Sequence, residues 1–405
     1  MTTVSFPERV LHKRWRISIG IANCGNWEAL RRRIAVWLVS GQNLIGSKEE
    51  RITHMLERDP YLRAENRKVP SHRFSVAPMM ACTDRHCRYF HRLLSRQALL
   101  YTEMLHAQAV VHGKAEQLLA FNEAERPLAL QLGGSDPRSL GEAARIGVEA
   151  GYNEINLNAG CPSPRVRKCN FGAVLMTMPD VAGDCMEAIL ENAAGASVSV
   201  KCRIGVDNQD PNQALPRFVE TVASRGVDRV IVHARKALLS GLSPKQNHNV
   251  PPLDHGLVVR LKQQFPHLAI CINGGITDLE QVGKLLDQGL DGVMVGRTAY
   301  NRPLAILPGV DEQVFGVPRQ FSIERIIEEM CTYALRQEAR GIPIRQVSRH
   351  MSGLFAGWPH ARNWRRVVSD PGIPGEGGVD AIREAAKRCL DGSQTEPRAV
   401  AIGMA

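Results

Sequence analysis

Cys161 sits in the stretch Asn158-Ala-Gly-Cys-Pro, immediately after an apolar run built on Ile155 and Leu157. A cysteine in such a place could be a nucleophile, a metal ligand, a proton donor or only a small buried residue. A nucleophile wants a general base beside it, and a metal ligand wants further Cys or His close by. The local sequence offers neither, and an inert buried thiol is the commonest fate of cysteines in general. Gly160 permits a tight turn and Pro162 fixes its own φ, so the pair helps hold the loop in one shape.

Other polar residues end apolar runs in the same way: Pro78 and Met79, Glu103, Gln131, Lys201 with Arg203, His233 with Arg235, Asn273-Gly274-Gly275, and Gly296-Arg297. The glycines of "NGGI" and "VGR" let backbone N–H groups approach a phosphate, with Arg297 as a charged contact. Ordinary turn glycines are the plain alternative. A lysine at such a position could form a Schiff base or complete an ion pair. Beside the Gln131 amide and a phosphate site a third role suits Lys201 better. It supplies a cation for the negative charge that a reduced flavin carries near N1, while the amide binds the pyrimidine edge. His233 then suits the phosphate or the O2 edge.

These residues need a frame that gathers them. From Phe74 onward, short runs rich in Val, Ile and Leu recur, each followed by a helix-length segment: 74–79, 99–104, 128–132, 154–158, 198–202, 229–233, 269–273 and 292–296. Strands buried on both faces read as continuous apolar runs, and alternation with helices implies parallel strands joined by crossovers. Eight such units predict an α/β fold, a (β/α)8 TIM barrel, whose C-terminal strand ends face the active site and whose last two loops bind phosphate. A doubly wound open sheet is the alternative, but no glycine-rich dinucleotide turn follows the first run. The segment 139–151 places Leu140, Ala144 and Val148 on one helical stripe and ends at Gly151.

After Gly316 the pattern changes. Ile323, Ile326, Ile327, Met330, Tyr333 and Ala334 form the stripe of a helix opened by Ser322 and closed by Gly341. A further helical piece is expected around 345–355, followed by the Trp/Arg-rich "GWPHARNWRR". Residues 1–70 show no periodicity and read as an N-terminal extension or a misassigned start, with Met55 as a second candidate. Residues 71–316 read as the catalytic barrel, 317–390 as a small all-helical domain and 391–405 as a tail.

At 44% hydrophobic and 23% charged residues the composition is that of a globular protein, and no apolar run is long enough to span a membrane. The ten cysteines form no CxxC pair and no zinc-ligand spacing, which predicts free thiols in the cytoplasm and no metal centre. Of the net charge of +10, residues 1–72 hold six. Between Arg319 and Arg366 lie nine arginines, no lysine and four acids. Such a cluster fits a polyanionic partner, with a solvated charged face as the bland alternative.

The stretches "APMMACTDRHCRYF", "QLGGSDP", "NLNAGCPSPRVRKCNFGAVLM", "VKCRIG", "VHARKALLSGLSPKQN", "INGGI" and "DGVMVGRTAY" resemble the tRNA-dihydrouridine synthases. "LSGLSPKQN", "VPPLD" and "RHMSGLF" resemble the A-type branch in particular. The resemblance runs in order over residues 73–366. It implies an FMN-containing barrel, a helical tRNA-binding domain, NADPH as reductant, and D-loop uridines around positions 20/20a as substrate. A monomer located in the cytoplasm is expected. By the same resemblance Cys161 is the catalytic acid. Pro78, Met79, Gln131, Lys201, His233, Asn273, Gly274, Gly275, Gly296 and Arg297 fall on the FMN contacts. Asn158, Arg203 and Arg235 lie near the flavin or the target base.

The acid role makes chemical sense. Hydride delivery to C6 of uracil leaves enolate-like charge that protonation at C5 must quench. The donor has to be protonated at neutral pH, which thiols as a class, with pKa near ~8.5, satisfy. The chain departs from the family pattern at Ala81-Cys82 (Asp-Trp is usual), Leu238 (Trp), Gln246 (Glu), Val174 (Cys) and Cys169 (Gly). Cys169 lies in the loop after Cys161 and is harmless if its φ is negative. Two rival readings stand beside the main one: a flavin oxidoreductase acting on a free pyrimidine, and a catalytically weak tRNA-binding protein. The arginine-rich helical domain argues against the first.

Overall fold

The computed structural model describes residues 69–371 and 377–395, so the N-terminal extension, apart from Val69 and Pro70, lies outside the described residues. Eight strands follow one another around a closed, all-parallel barrel: β1 (Phe74–Val76), β2 (Leu99–His106), β3 (Leu128–Gly133), β4 (Glu154–Ala159), β5 (Ser197–Arg203), β6 (Arg229–His233), β7 (Ala269–Asn273) and β8 (Gly292–Val295). β8 pairs with β1, and that pairing leaves the sheet without an edge. Every apolar run expected to be a strand is one.

Two layers of core follow from the two-residue period of a strand. Ala77, Leu99, Tyr101, Ala129, Ile231, Cys271 and Met294 fill the lumen as a cluster of their own. Ile155, Leu157, Val198, Val200, Val230, Ile272 and Val293 point the other way, into the continuous core beneath the helices. Each fully buried aliphatic side chain there contributes about 1.5–3 kcal/mol. On β4 the outward set is apolar and the inward set, Glu154, Asn156 and Asn158, is polar and buried. That asymmetry makes β4 the spine of the site.

The crossover helices start where the chemistry of the sequence allows. Asp136 caps Pro137–Glu149 by accepting from the Ser139 amide at 2.9 Å, and Asp210, Asp254 and Asp278 cap later helices likewise. Leu140 and Ala144 are buried as the stripe requires, and Val148 packs against the same core.

Beyond the barrel, Ser322 caps the helix Ile323–Glu338, whose six striped residues are all buried. Short helices at Ile344–Ser348 and Arg349–Met351, then Ala361–Ser369, complete the expected helical region. The last helix, Gly378–Thr395, runs past Asp391 into the segment read as a tail, so that boundary moves. Its apolar face is buried at Ile382, Ala385, Ala386 and Cys389, which docks the helix through that turn. Against the barrel, Tyr333 stacks on Tyr89 with centroids 4.0 Å apart and meets His86 Nδ1 at 2.9 Å. Asp84 accepts from the amides of His86 and Cys87 while also binding Arg349 at 2.9 Å and His350 at 3.0 Å.

Candidate active site

All of the strand-end residues expected at the site gather at one mouth of the barrel, because parallel strands present all their C-terminal ends to the same side. Cys161 follows β4 and is half-buried. Its loop is held from three directions. The Asn158 side-chain oxygen accepts from the amides of Gly160 at 3.1 Å and Cys161 at 3.0 Å. The Cys161 carbonyl accepts from Ala173 at 3.0 Å. Arg203, 2% exposed, donates from Nε to the Gly160 carbonyl at 3.1 Å.

Gly172 closes that loop with φ +69°, and a Cβ there would stand 2.6 Å from the Cys161 carbonyl and 2.4 Å from Val166. No other residue type fits without pushing the cysteine away. Cys169, the departure in this loop, ends the short helix Pro164–Lys168 with φ −98°, an ordinary value for a side chain. The left-handed position belongs to its neighbour Asn170 at φ 54°, a residue type that tolerates it. Sequence reasoning named the right hazard and the fold removes it.

Lys201 projects from β5 beside Arg203, and its ammonium has no hydrogen bond or ion pair among the described residues. Burial first, then the Arg203 charge, lowers its pKa to about 8. Arg203 itself is drawn down to about 10 by burial. Beyond the Gly160 carbonyl it donates to the carbonyls of Lys236 at 3.2 Å and Asn247 at 3.1 Å. Expected near the target base, Arg203 is thus a brace between the β4, β5 and β6 loops. Gln131 on β3 is 1% exposed. Its Nε2 donates to Asn156 at 2.7 Å and its Oε1 accepts from Asn158 at 2.8 Å, leaving one N–H and one lone pair unused.

His233 ends β6 and stacks on His248 with centroids 5.6 Å apart. Burial, followed by the charges of Arg203 and Lys201, holds His233 well below the usual imidazole range and His248 at about 4, so both rings are neutral at pH 7. A Cβ on Gly274, at φ +114°, would sit 2.6 Å from the His233 ring, which is why backbone alone passes there. Asn273 anchors this turn by donating to the Met294 carbonyl at 2.8 Å. Gly296 precedes the short helix Arg297–Asn301, whose first amides have no acceptor inside the helix. Arg297 is exposed and donates to Asn249 Oδ1 at 2.6 Å, and Arg235 donates to the Pro251 carbonyl. Pro78 and Met79 complete the rim after β1, with the Met79 amide donating to Thr83 Oγ1 at 3.0 Å.

The donor set fits a flavin nucleotide. One amide edge with free donor and acceptor, one unpartnered, half-buried ammonium and a turn of bare backbone beside Arg297 answer its pyrimidine edge, its negative charge and its phosphate in turn. Several residues that shape the mouth escaped the sequence reading. Glu154, Asn156 and Ser199 lie beneath Gln131, Gly172 lies behind Cys161, and His248 stacks on His233. Glu103, placed only as a polar strand end, accepts from the amide of Ala81, whose φ is 60°. Cys82 lies beside it, its thiol pushed up by burial and by Glu103. Among the described residues no group of three or more His, Cys, Asp or Glu could hold a metal, and no helix is long and apolar enough to cross a membrane.

Residues 75–389 match the family described as dihydrouridine synthase (Dus). Curated relatives named tRNA-dihydrouridine(20/20a) synthase are similar over much the same span. That of Vibrio parahaemolyticus is 49% identical over 316 residues, covering 77% of this chain and 95% of its own. That of Vibrio cholerae is 47% identical over 315 residues, with the same coverage of 77% and 95%. That of Escherichia coli strain K12 is 47% identical over 323 residues, covering 79% and 92%. The match spans the barrel and the helical region together, and it includes the loop that carries Cys161. The chain belongs to the dihydrouridine synthase family.

Proposed function

We propose that this protein reduces the C5=C6 bond of D-loop uridines in tRNA, around positions 20 and 20a, to 5,6-dihydrouridine, with FMN as its flavin and NADPH as the reductant. The observation that carries this is a convergence at one barrel mouth: an unpartnered Lys201 ammonium, a Gln131 amide with free capacity, and a Cys161 thiol held by its own backbone. A reduced flavin held there supplies the hydride that the pyrimidine ring takes up at C6.

The chain's own residues do the rest. Lys201 keeps a positive charge beside the flavin pyrimidine, and Gln131 fixes the edge of that ring. His233, neutral and buried, offers a ring nitrogen as a hydrogen-bond partner without adding charge. The Arg297 side chain and the bare backbone at Gly274, Gly275 and Gly296 receive the phosphate. Cys161 delivers the proton to C5. Asn158 and Arg203 hold it in place through the backbone of its loop. A uridine in folded RNA must leave its stack to reach this mouth, and contacts in the pocket offset the loss of stacking. Exposed arginines on the helical region, among them Arg336, Arg340, Arg345, Arg362 and Arg365, suit the phosphates of the RNA around it.

The direct test is mass spectrometry of D-loop fragments from a strain lacking the enzyme, with and without this protein supplied. A gain of two hydrogens at a D-loop uridine is expected. No gain at any uridine sinks the reading, and turnover of uracil or orotate without RNA would put a free-pyrimidine reductase in its place. Flavin identity is read by chromatography of the cofactor released on denaturation, and reductant choice by initial rates with NADPH against NADH.

A further inference from the structure

We propose that Glu154, at the floor of the barrel, is a positioning residue for this reaction: it sets the direction of a buried hydrogen-bond chain that ends on the backbone of Cys161. The inference rests on the roles given above to Gln131 and Cys161. Its starting point is the inward face of β4. Four strand steps separate Glu154 from Asn158, about 13 Å, and the gap is filled by side chains linked one to the next.

The Glu154 carboxylate lies 2.6 Å from Arg229 through Oε2 and accepts from Tyr101 at 2.6 Å and from Ser199 through Oε1. Ser199 accepts from Asn156 Nδ2 at 2.8 Å. Asn156 Oδ1 accepts from Gln131 Nε2 at 2.7 Å, and Gln131 Oε1 accepts from Asn158 Nδ2 at 2.8 Å. Asn158 Oδ1 then accepts from the amides of Gly160 and Cys161. Glu154, Asn156, Ser199 and Gln131 are at most 3% exposed, so the partners of each group are the neighbours named here.

Three amides in a row have two settings each, and the choice falls to the two ends of the chain: the Glu154 carboxylate below and the donating Gly160 and Cys161 amides above. A carboxylate removes that freedom because it only accepts. It commits the single Ser199 proton downward, so the Ser199 oxygen can take only an N–H from above. That fixes Asn156, which fixes Gln131, which fixes Asn158 with its oxygen toward the Cys161 amide. In the reversed chain, Asn158 would point its NH2 group at two backbone N–H donors and release the loop. The same choice decides which atom of Gln131 is left for a ligand. Linked hydrogen bonds of this kind polarise one another in a low-dielectric interior, so the chain acts as a unit.

The competing explanation is that Glu154 merely neutralises Arg229. Ser199→Ala separates the two, since it removes one oxygen, cuts the chain and leaves the Glu154–Arg229 pair intact. We expect iodoacetamide to label Cys161 of folded Ser199→Ala about tenfold faster than in the wild-type protein. Cys202 and Cys271, both buried in the barrel wall and lumen, should stay protected. The FMN affinity of the apoprotein should fall by a similar factor, and kcat should drop with KM for tRNA unchanged. Glu154→Gln should do the same more strongly; if loss of its charge unfolds the barrel, Ser199→Ala decides alone. Wild-type labelling and flavin affinity in Ser199→Ala overturn the inference, as does equal acceleration at Cys202 and Cys271. A wild-type protein without flavin or tRNA activity overturns the functional reading instead, and the labelling experiment does not depend on it.

Discussion

The mouth of the barrel and the seam between barrel and helical region treat charge in opposite ways. At the seam Asp84 answers Arg349 and His350. Asp311, which accepts from Ser95 Oγ at 2.6 Å, likewise faces Arg319 of the helical region at 3.5 Å. At the mouth, Lys201, Arg203, Arg235 and Arg297 gather with no carboxylate partner among the described residues, and those that donate do so to carbonyl or amide oxygens. Unanswered cations crowded together are unfavourable to the fold alone, and burial makes them more so. Their gathering at one place marks where an anion is wanted, whereas the seam cations Arg349 and Arg319 each face a carboxylate.

That contrast can be broken most forcefully at Cys161. Cys161→Ala should lower uridine reduction by at least about a hundredfold, with the yellow flavin absorbance and tRNA binding retained. Full activity in that variant would refute the acid role outright. Next comes the residue behind it: Gly172→Ala forces a Cβ against the Cys161 carbonyl. It should lower turnover about tenfold and unfolding stability by about 1–3 kcal/mol, the latter read from denaturant midpoints. Unchanged values in both assays would mean that the loop gives way freely.

Lys201→Met tests the unanswered charge itself and should weaken FMN binding to the apoprotein about tenfold. Because burial lowers the Lys201 pKa to about 8, the wild-type affinity should decline as pH rises through that value, while the variant stays flat. The linkage runs the other way for the ligand-free fold. Between about 8 and the ordinary 10.5 the unfolded chain binds the extra proton, so this lysine's contribution to stability rises with pH. A wild-type minus Lys201→Met difference in apoprotein stability that falls across this window contradicts this account of the lysine.

The seam responds differently. Burial pulls the Asp84 pKa up, but the His350 hydrogen bond and charge outweigh it and hold the carboxyl well below the usual range. Its contribution is therefore complete above the ordinary 3.8 and fades as pH falls below that value. Asp84→Asn keeps a good helix cap and loses the charge, so stability should drop by about 1–3 kcal/mol at neutral pH with flavin content unaltered. Equal flavin loss would show that mouth and seam are not separable. The smallest effect belongs to Cys169→Gly, expected within about 0.5 kcal/mol of the parent, because φ −98° gives glycine no advantage.

The barrel was legible because its signal is local. Val, Ile and Leu runs at regular spacing need no knowledge of their neighbours, and β6 and β7 fall on the expected residues to the letter. Strand ends were legible for the same reason, since a parallel barrel sends every C-terminal end to one mouth. Partnership across the lumen was not. Glu154 looks like the polar first residue of a strand, and Ser199 like a small filler. Only the register of β4 against β5, with Asn156 opposite Ser199, reveals them as neighbours. Asp84 and Arg349 meet across 265 residues of sequence, and no periodicity encodes a contact of that kind. Arg203 ends β5, but its engagement with three loop carbonyls depends on loop paths that composition does not specify.

The two-residue alternation of β4 has a consequence for how this gene can change over generations. Substitutions along the strand alter one contact at a time and leave room for repair nearby. Loss or gain of a single codon between Glu154 and Asn158 is a different event. It would swing Asn156 toward the helices and Ile155 or Leu157 into the lumen. One such step would leave carboxamides among hydrocarbons on one side of the sheet and remove the grip on Cys161 on the other. The length of this strand is therefore constrained as a unit, and a change in length is expected to be tolerated only in the loops around it.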